Sequence, residues 1–404
     1  MRRRTIEAGR PAVLVSYAAF VLSGLGAGAG GVLLPSQMAS YGVGRATIGI
    51  AFFTISIGFA LAGLSNGALL HRFGVRTALT AGGSAFMLGG LYLASRPPFV
   101  AFVLAQVVIG YGVGVLESVL NVCLSAMPGA TTLLNRLHAF WGVGALLGPL
   151  LAAWIIGFAP WTVVWLVLAG ASVPLLAGFL LAYPRSAPGA PGAPDAPDAP
   201  VPGAAEAPVP TPASMLGAAL RGRGVQLGAA MLAVYVGLEA SVGSWGFSYL
   251  VQARALPESI ASYTISGYWL GLTLGRFLIS PIAARVGATT ARMIYACLAG
   301  VTAAAALAWL SPAVLACVAL GLLGFLLGPV FPTTMAVAPR LTQARLVPTA
   351  IGVMNAAAVG GGSALPWLAG AIAQSAGMRV LLPFALTLAI VQFAVWRPIA
   401  GRLS

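Results

Sequence analysis

Long apolar runs constrain this 404-residue chain more than any other feature of its sequence. A helix needs about 20 apolar residues to cross the hydrocarbon core of a bilayer, and run after run here reaches that length. Only 7% of the residues are charged, whereas about a quarter are charged in a typical soluble domain. The pattern indicates an all-α membrane protein that crosses the lipid bilayer many times.

Pro, Gly and Arg residues divide the apolar runs into twelve predicted spans, in two sets of six. The first set covers 12–34, 47–70, 77–95, 98–124, 137–158 and 161–183; the second covers 225–250, 260–283, 289–310, 313–336, 348–373 and 379–396. We therefore expect an N-terminal six-helix bundle in residues 1–183 and a C-terminal one in residues 223–404. The Pro- and Ala-rich composition between them predicts a disordered cytoplasmic linker at residues 184–222.

The distribution of arginine predicts the orientation. All 21 basic residues are arginine, which excludes chemistry that needs a lysine Schiff base. Sixteen of them fall in segments on the side of the two termini, and the opposite side receives Arg45, Arg96, Arg254 and Arg379. Because positive residues stay in cytoplasmic segments, we expect both termini in the cytoplasm, in a bacterial plasma membrane. The same rule explains the net charge of +14 without a nucleic-acid partner.

Two acidic residues, Glu117 and Glu239, fall inside predicted spans. A charged acid at mid-span costs roughly 2.5–3.5 kcal/mol, and protonation relieves much of this cost, so we predict that both carry protons. The alternative is a buried glutamate that hydrogen-bonds to a neighbouring helix. Gly110, Gly114, Glu117 and Asn121 recur at helical spacing and form a stripe that we expect to face a central cavity.

Aromatic and polar residues near these acids predict a substrate site. A carboxylate beside aromatic rings suits a sugar, and it suits an aromatic or amphipathic drug equally well. The predicted substrate-binding residues are Asn121, Trp141, Tyr235, Trp245, Trp269 and Asn355. His138 is a candidate proton relay, with a helix-end histidine bonded to a carbonyl as the alternative. Arg276 lies inside the eighth span, where it either snorkels or pairs with a carbonyl or carboxylate.

An internal repeat relates the two halves. SNGALLHRFGVRTAL after the second span matches ISPIAARVGATTARM after the eighth, with Arg72 opposite Arg285 and Gly74 opposite Gly287. The first copy resembles the loop signature GxLxDRxGRR of the major facilitator superfamily. This resemblance implies a gating loop at Arg72, Gly74, Arg76 and Arg285. His71 stands where the family carries an acid, which places the usual gating salt bridge in question.

Four further stretches, LESVLN, LLNRLHAFWGVGALLGP, YVGLEASVGSWGFSYL and LLGPVFPTTM, resemble the fucose–galactose–glucose:proton symporter branch of that superfamily. The resemblance implies a twelve-helix transporter that works by alternating access and takes up a sugar or similar polar solute with protons. Gly31 replaces a first-helix acid found in some sugar symporters of this branch. Gly144, Gly148 and Pro149 partly resemble an antiporter element, which keeps proton-coupled efflux of a drug or secreted metabolite as an alternative.

Other function classes receive little support from the sequence. No Walker-type phosphate loop, His–Asp–Ser arrangement or metal-ligand cluster occurs, so we predict neither an enzyme nor a cofactor or metal site. Gly360, Gly361 and Gly362, followed by Pro366, predict a weakened eleventh helix. We expect a monomer whose partners are a small-molecule substrate, protons and lipid. A non-transporting receptor is a third hypothesis, and the two intramembrane acids disfavour it.

Overall fold

The computed structural model describes residues 9–184 and 212–403, in which all regular secondary structure is helical. The N-terminal half contains α1 (Arg10–Tyr41), α2 (Arg45–Ile48), α3 (Ile50–Ala94), α4 (Phe99–Ser125), α5 (Ala130–Ile156) and α6 (Thr162–Ala182). The C-terminal half contains α7 (Pro212–Arg221), α8 (Arg223–Arg254), α9 (Glu258–Arg285), α10 (Thr290–Leu310), α11 (Ala313–Leu327), α12 (Val330–Ala336), α13 (Ala338–Leu341), α14 (Val347–Ala376) and α15 (Leu381–Ala400).

The helices account for the twelve predicted spans. Among the described residues, ten helical segments are long and apolar enough to cross a membrane. One of these, Arg45–Ala94, is 50 residues long and contains two predicted spans. The remaining span is α9, which carries Glu258, Arg276 and Arg285 and is therefore more polar. The prediction of an all-α membrane protein with twelve transmembrane helices is confirmed.

Gly74 divides α3 into its two spans. Its backbone has φ 76° and ψ 169°, a conformation that is essentially restricted to glycine. Gly287, its counterpart in the sequence repeat, connects α9 to α10 and also has a positive φ, 67°. A positive φ at both glycines is consistent with the internal repeat.

The predicted linker is partly helical. Its residues 185–211 lie outside the described residues, but residues 212–221 form α7, so the prediction of disorder is wrong there. Pro212 occupies the first helical position, where a proline is tolerated, and the Ala, Leu and Met residues after it favour a helix. The helix packs against α8 and α14 and buries Ala219.

The two halves are joined on the side opposite the chain ends, which we call the far side. The Arg45 guanidinium donates to Gln252 Oε1 at 2.7 Å, and the Ala46 amide donates to Gln374 Oε1 at 2.9 Å. The Trp367 indole donates to the Ala46 carbonyl at 3.1 Å. These contacts form a seam between the α1–α3 connection and the ends of α8 and α14.

Among the residues that the structure describes, contacts between the two halves continue from the seam to about the middle of the bundle and not beyond it. Ser363 of α14 donates to Ser56 of α3 at 2.6 Å, and the rings of Trp141 and Trp269 meet edge to face at 5.8 Å near mid-bundle. Within the described part of the chain, every side-chain hydrogen bond between the halves lies in the far half of the bundle. The protein is therefore closed on its far side.

Gly74→Ala should destabilise the fold by about 1–3 kcal/mol, because an L side chain is strained at this backbone conformation. Gly67→Ala is the matched control: Gly67 lies in the same helix, with nothing within 4 Å of an added Cβ, and the change should be neutral or slightly stabilising. Thermal unfolding midpoints in detergent measure both. Equal midpoints for the two variants would contradict the assignment of strain to Gly74.

Candidate functional site

An ion pair occupies the centre of the C-terminal half. Arg276 of α9 and Glu239 of α8 approach to 3.7 Å between a terminal guanidinium nitrogen and Oε2. Their side chains are only 27% and 13% exposed, and this is the only salt bridge among the described residues. The structure thus identifies the partner of Arg276, which the sequence left open between a carbonyl, a carboxylate and snorkelling.

The ion pair is loose and has unused hydrogen-bonding capacity. Neither Glu239 Oε2 nor Arg276 Nε makes a hydrogen bond. The Tyr268 hydroxyl donates to the Glu239 backbone carbonyl at 3.1 Å, and the Tyr235 hydroxyl interacts electrostatically with both charged groups. Polar groups separated by more than about 3.5 Å often have a water or ligand atom between them. The pair can therefore accept a further polar group.

Helix α5 of the N-terminal half faces this pair. Trp141 contacts Trp269, whose buried indole N–H has no hydrogen-bond partner. His138 lies one turn from Trp141; it is exposed, its ring contacts Phe20 edge to face at 5.6 Å, and it interacts electrostatically with Arg276. Predicted residues from both halves therefore come together around the ion pair.

Glu117 lies apart from this cluster, on α4. Its side chain is partly exposed, and in the described part of the chain its carboxylate makes no hydrogen bond or ion pair. The Asn121 amide donates to the Glu117 backbone carbonyl at 2.8 Å. Gly110 packs against the Ile55 backbone of α3, and Gly114 packs against its next turn. Helix packing therefore explains the two glycines, and the prediction that the whole stripe faces a cavity is wrong for them.

Two further predicted substrate residues lie elsewhere. Trp245 is completely buried, and its indole donates to the Pro366 carbonyl of α14 at 2.8 Å. It offers no surface to a substrate in this conformation, so its predicted role is not supported by the geometry. Asn355 is exposed on α14. That helix is continuous from Val347 to Ala376, contrary to the predicted weakening at its glycines.

Gly31 marks a close approach between the halves. A Cβ at this position would lie 2.5 Å from the Gly243 carbonyl oxygen and 2.8 Å from that of Ser244. Both belong to α8, so α1 and α8 meet backbone to backbone in this closed far side. An aspartate at residue 31 does not fit this packing.

The predicted gating loop makes no ion pair with any described residue. Arg72 is exposed, with its guanidinium 5.3 Å from the centre of the Phe73 ring. In the residues that the structure describes, Arg76 and Arg285 also lack an acidic partner. The replacement of the family acid by His71 removes the carboxylate that such a bridge requires.

The sequence matches the model of a known protein family. The family model described as Major Facilitator Superfamily matches residues 17–365. The chain belongs to this superfamily. It is therefore an integral membrane transporter, and the family expectation from the sequence is confirmed.

Two relatives match this chain over very different lengths. Bypass of stop codon protein 6 of Saccharomyces cerevisiae is 25% identical over 408 residues, covering 94% of this chain and 80% of that protein. The multidrug efflux pump SdrM of Staphylococcus aureus is 26% identical over 139 residues, covering 34% and 31%.

Two sugar symporters of this superfamily share the fold. The E. coli fucose:proton symporter is 14% identical, with 95% and 97% of the two chains covered and a TM-score of 0.62. A D-xylose–proton symporter is 13% identical, with 96% and 97% covered and a TM-score of 0.73. At these identities the similarity concerns the fold alone.

Charge-neutralising variants test the ion pair. Arg276→Gln and Glu239→Gln should each destabilise the protein by about 1–3 kcal/mol, because each leaves a mostly buried charge unpaired. The double variant should lose less than the sum of the two. Arg292→Gln, at an exposed arginine of α10, is the control and should be neutral. Additive losses in thermal unfolding would show that the two charges do not interact.

Gly31→Ala should open the far side, because the added methyl group meets the α8 backbone. The readout is a disulfide between Ser56→Cys and Ser363→Cys, whose hydroxyls are 2.6 Å apart, in a background without the three native cysteines. Cross-linking should be rapid with Gly31 and clearly slower with Gly31→Ala. Gly30→Ala has nothing within 4 Å of its new Cβ and should cross-link normally. An unchanged rate in Gly31→Ala would contradict the packing role of Gly31.

Proposed function

We propose that this transporter is a proton-coupled symporter that takes up a sugar or similar small polar solute by alternating access. The observation that carries the proposal is the contrast between its two intramembrane carboxylates. Glu239 has a guanidinium partner at 3.7 Å, whereas Glu117 has no ion-pair or hydrogen-bond partner within the described residues. An unpaired intramembrane acid is stable when it is protonated.

In this proposal Glu117 is the main proton carrier. A protonated Glu117 is neutral, so the halves can move without holding a charge in the apolar interior, and water access on the cytoplasmic side then allows the proton to leave. Glu239 takes part as the charge partner of Arg276. His138, within electrostatic range of Arg276, relays protons between the two glutamates and the cytoplasm. The proton-coupling residues thus lie in both halves, with Glu117 and His138 in the N-terminal half and Glu239 in the C-terminal half.

The substrate is held beside the central ion pair. The partly exposed Trp141 offers an apolar ring face, and Glu239, Arg276 and the unpaired indole N–H of the buried Trp269 offer polar contacts. This combination suits a hydroxylated ring, which has C–H faces and hydroxyl edges. The fold shared with the fucose and xylose symporters is consistent with such a substrate.

Orientation follows from the arginine bias. With both termini in the cytoplasm of a plasma membrane, the closed far side is extracellular, and the described conformation is inward-facing. Arg45, Gln252, Ala46 and Gln374 then form the external gate. Alternating access requires that these hydrogen bonds break while the cytoplasmic sides of the halves meet.

Proton-coupled efflux is the second candidate, and two observations favour it. A staphylococcal multidrug efflux pump is among the relatives, although the match covers only 34% of this chain. Gly31 also removes an acid that some sugar symporters carry, and close packing against α8 leaves no room for it. The direction of transport separates the candidates, since efflux moves the solute against the inward flow of protons.

Glu117→Gln should abolish uphill transport and leave exchange intact, because glutamine cannot carry a proton. The measurement is uptake of radiolabelled fucose, galactose, glucose and glucuronate into vesicles that contain the purified protein, with an imposed pH gradient. Wild type should accumulate a substrate, and Glu117→Gln should only equilibrate it. Glu258→Gln, at an exposed acid on the far side, is the matched control.

Two results would contradict the proposal. Full gradient-driven accumulation by Glu117→Gln would remove this residue from coupling. A wild-type protein that accumulates no sugar, but expels a drug when protons flow the other way, would replace symport by antiport.

A further inference from the structure

A cavity of about 510 Å³ that is open to its surroundings lies in the C-terminal half, between α9, α10 and α12, and its lining residues Ser280, Thr290 and Arg340 are exposed. This volume falls within the range of about 300–1,000 Å³ that is typical of small-molecule sites. Its polar lining consists of Arg276, Ser280, Thr290, Thr333 and Arg340, and the other lining residues are Ala, Met, Pro and Val. Arg276 therefore belongs both to this cavity and to the central ion pair.

The hydroxyl groups that line the cavity make no hydrogen bond to the described residues, and those of Ser280 and Thr290 belong to exposed residues. In membrane helices, Ser and Thr commonly donate to the carbonyl four residues earlier, and in α9 itself Ser262, Thr264 and Thr273 do so. Ser280 of the same helix makes no such bond among the described residues. A ligand in the cavity can therefore use its hydroxyl.

The same contrast occurs on α12. Thr334 donates to the Val330 carbonyl at 2.7 Å, whereas the neighbouring Thr333 side chain, which lines the cavity, makes no hydrogen bond within the described part of the chain. The Thr290 hydroxyl is likewise unbonded there. Three separate helices thus direct an available hydroxyl group towards one space.

The charge of the cavity is positive. Two guanidinium groups line it, and no carboxylate is among its lining residues. The exposed guanidinium of Arg340 makes no ion pair or hydrogen bond with the described residues, and the buried Arg276 Nε also lacks an acceptor. Glu239 reaches only a terminal nitrogen of Arg276, at 3.7 Å. Guanidinium groups bind carboxylate and phosphate with several parallel N–H donors.

We propose that this cavity binds a small hydroxylated organic anion, such as a sugar acid. Arg276 and Arg340 hold its anionic group, and Ser280, Thr290 and Thr333 bind its hydroxyls. The inference deepens the proposed function and rests on it only for the statement that the bound anion is the transported substrate. The proposed substrate is therefore a negatively charged sugar derivative and not a neutral sugar.

D-Glucuronate and D-glucose are matched probes, because they share a ring and differ in the carboxylate. Calorimetric titration of the full-length protein in phosphatidylcholine nanodiscs should show binding of glucuronate and little binding of glucose. Binding should weaken as salt increases, since the attraction is electrostatic. Equal affinity for the two probes, or binding of glucose alone, would overturn the proposal.

Arg340→Gln should weaken glucuronate binding about tenfold or more, as expected for the loss of a hydrogen bond to a charged group. Arg340→Lys should retain part of the affinity. Arg345→Gln is the control: Arg345 is exposed on the same side and bonds to Gln343, outside the cavity, so affinity should be unchanged. Unchanged affinity in Arg340→Gln would overturn the assignment of this cavity.

Anionic lipid is a separate source of the same chemistry. If glucuronate fails to bind in phosphatidylcholine and phosphatidylglycerol alone raises the unfolding temperature in an Arg340-dependent way, the cavity holds a headgroup and the solute proposal is wrong. Binding at equilibrium needs no gradient. Anion binding without gradient-driven transport would therefore reject the symport function alone, and neutral-sugar transport without anion binding would reject this inference alone.

Discussion

The exclusion of water from the bilayer interior is the constraint on which the rest of this structure depends. Every backbone N–H and C=O in hydrocarbon must be satisfied within the chain, so the spans are helical. The same constraint makes polar side chains costly there. The single ion pair of the described residues, Glu239–Arg276, consequently lies between helices in the middle of a half. Of its neighbours, Tyr268 supplies a polar contact that lipid cannot, a hydrogen bond from its hydroxyl to the Glu239 backbone carbonyl.

The far-side seam uses neutral groups where charged ones would be expensive. Amide and backbone groups provide most of its bonds, with Arg45 as the one charged donor and Gln252 as its partner. Gly31 adds direct backbone contact between α1 and α8. No carboxylate takes part in these contacts. In the proposed mechanism, a proton therefore has no acceptor in the seam itself, and its effect on the gate must arise from the central site.

The sequence predicted what depends on composition and local periodicity. The twelve spans and the two halves followed from apolar length, and Glu117 and Glu239 stood out because acids are rare there. Contacts between helices were not predictable. The pairing of Arg276 needs the relative rotation of α8 and α9, although Trp269 and Arg276, seven residues apart, share one face of α9. The burial of Trp245 was not predictable either, because a motif does not show which way a side chain points.

Charge balance connects the central pair to the neighbouring cavity. With Glu239 ionised, its charge and that of Arg276 cancel. A proton on Glu239 would leave Arg276 unpaired, and a bound anion would restore neutrality, so the site would have the same net charge before and after it loads a proton and an anion. A neutral sugar offers no such compensation, since a protonated Glu239 would leave a buried guanidinium alone. In the proposed mechanism Glu117 remains the main proton carrier, and the charge balance of the Glu239–Arg276 pair favours an anion over a neutral sugar.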